Sequence, residues 1–414
     1  MKAFDDLLML LCMALNSHDL TEKDLREHIK AVDESGGDWD SILKLAEKNS
    51  VGGLLYELLA GYAEIPKKQL TGLEKYSRKI CRCNYRYLVA SVQIKKAFEK
   101  AGIPFCIMKG AAAAADYPVP DVRKAGDVDI LLLRPADLEQ ALGEIERLGF
   151  GKEEEQHSLH HVGMKHPDGC EIEVHTMLAE PFDNRKINKY LEQLVTESGK
   201  HIIYKEIMGA ELPVLEDAYH AYELLLHMLQ HFLRKGFGIK LLCDWVTLWN
   251  RGLSDSETDT YLRLVTESGI KGFSDVITRT CVKYLGLKRD NVTKMRLYDS
   301  GKKREELENE TAAFLDELKD AGEFGESRER MVALRGNGMT DYIREFHHQM
   351  HLNFPKAGKC FLFWPVLWVI TLVRFLRNNR RVRAVSGREL LKSAGQRGKL
   401  VKEMRLFETE QKNA

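Results

Sequence analysis

FCIMKGAAAAADYPVPDVRKAGDVDILLL (residues 105–133) begins and ends in apolar runs, with a lysine–glycine turn, five alanines and a pair of acids between them. FCIM has the length of a buried strand, the alanines favour a short helix, and DVDILLL reads as a second strand. Side chains alternate along a strand, so Asp127 and Asp129 project together while Val128 points into the opposite layer. Paired carboxylates at the edge of a core are costly unless something compensates them. The rest of the chain is read for that partner.

Upstream, residues 1–102 are helical in pattern, with apolar residues three and four apart, a capping pair at Thr21 and Asp24, and Gly102 ending the last helix. Downstream, Pro135 starts a helix that Gly149 ends. The segments FGKEEEQ and HHVGMKH follow, then a PDG turn at 167–169 and the alternating strand CEIEVHTML. This β-α-β-α-β-β-β order implies an α+β fold with a small mixed sheet. From about Val214 helical periodicity returns. The expected organisation is an N-terminal helical region (1–102), a sheet-bearing core (103–213) and a C-terminal helical region (214–414).

Lysine plus arginine and aspartate plus glutamate are balanced at 62 each, so no global field draws the 414-residue chain onto nucleic acid. Eight scattered cysteines offer only one close pair, Cys81 and Cys83, a poor zinc or redox signature; free thiols in a cytoplasmic protein are expected. The apolar N-terminus has Asp5 and Asp6 just before its run and reads as an amphipathic helix, not a signal peptide. Residues 305–329 carry ten acids and two bases, and residues 374–405 eleven bases and two acids. These tracts read as solvated faces, with mutual contact as the alternative. CFLFWPVLWVITLV (360–373) is uncharged, too short to span a bilayer and interrupted by Pro365. Burial or a contact between copies is expected there. Weak membrane-surface contact through 360–383, beside Arg374, Arg377, Arg380, Arg381 and Arg383, is the second reading.

The partner sought for Asp127 and Asp129 is a metal. In EIEVH, Glu171 and Glu173 share one face of a neighbouring strand, and three or four converging carboxylates cannot all stay ionised alone. Magnesium takes oxygen ligands and keeps open positions, and two such ions serve in-line displacement at phosphorus. Gly110 would let the backbone approach a ligand, while Lys109 and Arg123 would neutralise a triphosphate. His157, His160, His161, His166 and His175 crowd the hairpin around the PDG turn but lack zinc spacing. His161 or His175 would hydrogen-bond near the acidic patch. His227 and His231 share a helix face ahead of Asp244, as pocket lining or as a buried polar network.

The ordered set Met108-Lys109-Gly110, Tyr117-Pro118, Arg123, Asp127-Val128-Asp129-Ile130-Leu131-Leu132 and Glu173-Val174-His175 resembles an uncharacterised bacterial nucleotidyltransferase family of the DNA polymerase β-like superfamily. The resemblance implies a polymerase β-like core and Glu173, not Glu171, as third metal ligand and catalytic acid beside Asp127 and Asp129. It also implies nucleotide contacts from Lys109, Gly110, Ala111 and Arg123. Ala111 stands where the superfamily has serine, so no hydroxyl is available to the phosphates. The implied activity is magnesium-dependent transfer of a nucleoside monophosphate from an NTP to an unidentified acceptor, be it a metabolite, sugar, protein or RNA end. The alternative is a catalytically degenerate binding or assembly module on the same fold.

Overall fold

The computed structural model describes residues 2–34, 37–62, 65–152, 161–182, 184–234, 236–298, 301–319, 357–382, 399–407 and single positions between 343 and 354. His157, His160 and the basic tract over 383–398 lie outside the described residues.

A seven-stranded mixed sheet organises the chain. Its strands are β1 (Phe105–Met108), β2 (Val128–Leu132), β3 (Gly151–Lys152), β4 (His161–Lys165), β5 (Glu171–His175), β6 (Ile202–Ile207) and β7 (Ala210–Leu215), in the order β3-β4-β5-β2-β1-β7-β6. The central pairing is antiparallel β1–β2, with Met108 opposite Asp129, and parallel β2–β5, with Asp129 opposite Glu173. That register sets the site.

Among the described residues, five α-helices precede the sheet: α1 (Lys2–Leu15), α2 (Glu22–Glu34), α3 (Trp39–Lys48), α4 (Gly52–Leu59) and the 35-residue α5 (Lys67–Ala101). Gly102, at φ 68°, ends α5 in the left-handed conformation that favours glycine. Within the sheet region come α6 (Lys109–Ala114), α7 (Leu138–Arg147) and α8 (Arg185–Ser198); beyond it run α9 (Asp217–Arg234), α10 (Ile239–Arg251), α11 (Asp255–Glu267), α12 (Lys271–Tyr284), α13 (Arg304–Lys319) and α14 (Trp364–Val382).

Strand alternation divides the core into two layers. Ile107, Val128, Ile130, Ile172 and Val174 pack with Leu88, Ile94 and Phe98 of α5 and with Leu142 and Ile145 of α7. Cys106, Met108 and Leu131 face the other way, into a larger cluster with Leu225 of α9 and Trp245 of α10. Leu7 and Leu11 of α1 belong to that same cluster, and Asn250 donates to Asn16 at 2.9 Å, so the two helical regions share one core. The Thr21–Asp24 cap forms, with Thr21 N donating to Asp24 Oδ2 at 3.0 Å.

The structure departs from the sequence reading in two places. The sequence pattern assigns no element to 179–213, yet α8 and the β6–β7 hairpin lie there. The hairpin turns on Met208 and Gly209, both at positive φ (48° and 83°), between the paired Ile207 and Ala210. Two left-handed residues match the twist of a tight hairpin, but methionine at the first of them gives little warning of it. The burial expected of 360–373 reaches one face only. Phe361, Leu362, Phe363, Val366 and Val369 are exposed, while Leu367 and Thr371 point inward. Glu308 and Glu310 of the acidic tract pair with Lys283, Arg279 and Lys302, none of which belongs to the basic tract.

Candidate active site

The site sits on the sheet face opposite α5 and α7, where the odd-numbered residues of β2 and β5 emerge. Period-two alternation sends Ile130 and Val174 into the core and Asp129, Glu173 and His175 outward beneath α9 and α10. Carboxylate oxygens of Asp127, Asp129 and Glu173 all lie within 4.8 Å of one another. Glu171, on the same strand face, pairs instead with Lys165 at an exposed position. The three acids anticipated from sequence are therefore brought together in space.

Negative charge in this cluster exceeds its compensation. Lys109 Nζ donates to Asp129 Oδ1 at 2.6 Å and lies 3.4 Å from His175 Nε2, which is itself 2.8 Å from Asp129 Oδ1. Burial alone would raise the Asp129 carboxyl, but the Lys109 ammonium and the His175 contact hold it well below the usual carboxylate range. Burial opposes the Lys109 charge, yet Asp129, Glu173, Glu223 and Asp127 keep it firmly protonated. Asp127 is left over. Burial and the neighbouring Asp129 and Glu173 charges push its carboxyl up to about 8. An acid that holds its proton to that pH, beside two ionised ones, marks a place where a further cation would be favoured.

Histidines extend the donor set. His161 Nε2 lies 3.4 Å and His175 Nε2 3.2 Å from the Glu173 carboxylate, and the two residues are directly paired across β4 and β5. Donors of His161, Glu173 and His175 also fall within 4.8 Å of one another, a second group able to hold a metal ion. His161 is shifted down, first by burial.

Lys109 is also conformationally strained. It adopts φ 46°, which non-glycine residues seldom occupy, and its amide donates to Glu223 Oε2 of α9 at 3.3 Å. Glu223, buried and pushed up to about 8 chiefly by burial, was not singled out from sequence. Its signal was the helical spacing Glu223, His227, His231, which puts it on the histidine face. His227 and His231 stack edge-to-face at 4.5 Å, and burial drives His227 well below the normal imidazole range.

Arg123, expected at the phosphates, is 4% exposed and grips Asp244 of α10 through Nε–Oδ1 (3.0 Å) and Nη2–Oδ2 (2.6 Å). The Tyr117 hydroxyl donates to the same carboxylate at 2.6 Å. Asn84 of α5 donates to the Asp121 and Arg123 carbonyls at 2.7 and 2.8 Å. The detour between the two strands is thus a clamped loop, and its arginine is a buried, bidentate structural cation. Gly110 serves that clamp, because a Cβ there would come within 2.6 Å of Arg123 Nη1. Ala111, next in α6, is half-buried.

The model of a family described as uncharacterised nucleotidyltransferase matches residues 35–286, well over half of the chain. This chain belongs to the uncharacterised nucleotidyltransferase family. The matched span runs from α3 to the end of α12 and includes the acidic cluster, the Arg123–Asp244 clamp and Glu223. Among solved structures, an antigenic nucleotidyltransferase-like protein from Paracoccidioides brasiliensis is similar at 16% identity and a TM-score of 0.30, the match covering 49% of this chain and 92% of that one. No curated protein matches.

Proposed function

We propose that this family member transfers a nucleoside monophosphate from an NTP to an acceptor hydroxyl, releasing pyrophosphate, on a polymerase β-like core that requires magnesium. The observation that carries this reading is the Asp127–Asp129–Glu173 cluster with its unmatched charge. The donors of these three acids are all oxygen, which suits a hard cation such as Mg2+. Two ions bound there would supply Lewis-acid activation of the acceptor hydroxyl and stabilisation of the leaving oxygens.

The chain's own residues divide the remaining work. Asp127 and Asp129 would face both ions and Glu173 the one nearer the acceptor. Asp127 must give up its proton on loading, and Lys109 must loosen from Asp129. Freed, the Lys109 ammonium would turn towards the triphosphate, alongside the backbone amides of Gly110 and Ala111. With Arg123 committed to Asp244, the cation that replaces it in this reading is the half-buried Lys240 of α10, whose charge already acts on Asp127. His161 and His175 would hold Glu173 and Asp129 in place.

One observation favours a second reading, a binding module without turnover: the Lys109 ammonium lies directly on Asp129, and Ala111 supplies no hydroxyl. Incubating lysate with the purified protein and each α-labelled NTP separates the two. Magnesium-dependent label on an acceptor, lost in Asp127→Asn, supports the transferase. Metal-dependent NTP binding by calorimetry without label on any acceptor supports the module, and neither result would remove both readings.

A further inference from the structure

Among the described residues, α14 is held by one side only. Leu367 and Thr371, four residues apart, are buried. Trp364 Nε1 donates to the Gly358 carbonyl at 2.7 Å and Trp368 Nε1 to His347 Nδ1 at 3.2 Å. These contacts fix the helix's rotation. The opposite face is also apolar: Val366 and Val369 are each 60% exposed, Val373 46%, and Phe361 and Leu362 ahead of the helix 68% and 70%. Spacings of three and four residues put the valines on one stripe. An outward stripe of this kind normally marks a surface that something covers.

The charge around it selects the covering partner. Residues 346–388 contain eight lysines and arginines and no acid, in a chain whose totals balance at 62 each. Arg374, one residue beyond the stripe, lies 5.1 Å over the Phe354 ring. Arg377, Arg380 and Arg381 follow on the same helix. No described helix is long and apolar enough to cross a membrane. The uncharged run of about 14 residues falls short of the roughly 20 that spanning requires. Aromatic and aliphatic side chains facing outward, bounded by a block of arginine, fit the boundary between acyl chains and anionic headgroups.

We propose that residues 361–381 are an interfacial anchor that lays the exposed face of α14 into a bilayer surface bearing anionic phospholipid. Phe361, Leu362, Val366 and Val369 enter the acyl boundary, and the basic stretch that follows them in sequence favours an anionic surface. The Trp364, Leu367 and Trp368 face keeps the anchor on the protein.

Co-sedimentation of the full chain with vesicles tests this, comparing phosphatidylcholine alone with phosphatidylcholine plus phosphatidylglycerol. Binding should be on the order of tenfold stronger to the anionic vesicles and should fall with added salt. Val366→Glu with Val369→Glu should cut binding at least about tenfold, as should Arg377→Glu with Arg380→Glu. The valine variant changes only exposed positions, so its melting temperature and circular dichroism should match the parent. Equal recovery with and without vesicles, or undiminished binding by the valine variant, would overturn the proposal. So would a parent dimer that the valine variant turns into a monomer, since the face would then belong to a second copy.

Discussion

Asp127 is the residue whose behaviour separates a metal site from an ordinary acidic patch. Its folded carboxyl keeps a proton to about pH 8, whereas in the unfolded chain it would lose it near the ordinary value of 3.8. The stability it contributes is therefore complete below that lower value and is lost as pH rises towards 8. In metal-free protein, Asp127→Asn should flatten this fall and raise stability at pH 8 by roughly 1–3 kcal/mol, after discounting for solvent screening. Magnesium should raise the melting temperature of the parent more at pH 8 than at pH 6, because it binds the ionised form, and should leave the asparagine variant unmoved. Melting curves across that range, with and without magnesium, provide the check. A variant that gains stability while losing the metal response is the signature of a site strained for function.

Among the elements, the loop between β1 and β2 decides how far the sequence could be read. Loss of one partner of a buried, bidentate ion pair costs about 3–5 kcal/mol because the other charge is left unmatched. Arg123→Ala and Asp244→Ala should each lower stability by that amount. In Arg123→Lys, which keeps the charge but not the fork, nucleotide affinity should stay within about twofold among folded molecules. Chemical denaturation and NTP titration separate the two effects. A large affinity loss at unchanged stability would return Arg123 to the phosphates. β1, α6, β2 and β5 were legible because alternation and the lysine–glycine turn are local signals. The role of Arg123 was not, since its partner lies 121 residues away and nothing near Arg123 encodes it. Glu173 was separable from Glu171 only by resemblance, because the Lys165 that pairs with Glu171 comes from the neighbouring strand. Glu223 could have been read from its helix face, and the β6–β7 hairpin, with Pro213 in its second strand, hardly at all.

At the scale of the whole molecule, one apolar cluster joins α1 to α9, α10 and α12, so the helices flanking the sheet do not form independent walls. The chain closes on itself again near its far end. Residues 399–407 return against α12, burying Leu400, Val401 and Met404, with Phe407 N donating to the Gly269 carbonyl at 2.7 Å. A Cβ on Gly272 would come within 2.1 Å of the Met404 carbonyl oxygen, a backbone atom that cannot rotate away. Gly272→Ala should undock this segment, costing about 2–4 kcal/mol as those side chains lose their burial, and proteolysis should then cut near residue 399. An unchanged digestion pattern would show that the contact contributes little. The uncharged run at 360–373, with four aromatics, has the composition of a core helix or of a contact between copies; only the packing shows that Leu367 and Thr371 are buried while Val366 and Val369 are exposed.

The central claim is that Asp127, Asp129 and Glu173 together hold divalent metal beside a bound nucleoside triphosphate. Electron paramagnetic resonance with Mn2+ standing in for Mg2+ tests it most directly, by following the free-ion signal as protein is added with each NTP in turn. The account predicts loss of that signal with the parent protein and at least one NTP, and its persistence with Asp127→Asn. Equal loss in both proteins, or in neither, would contradict it.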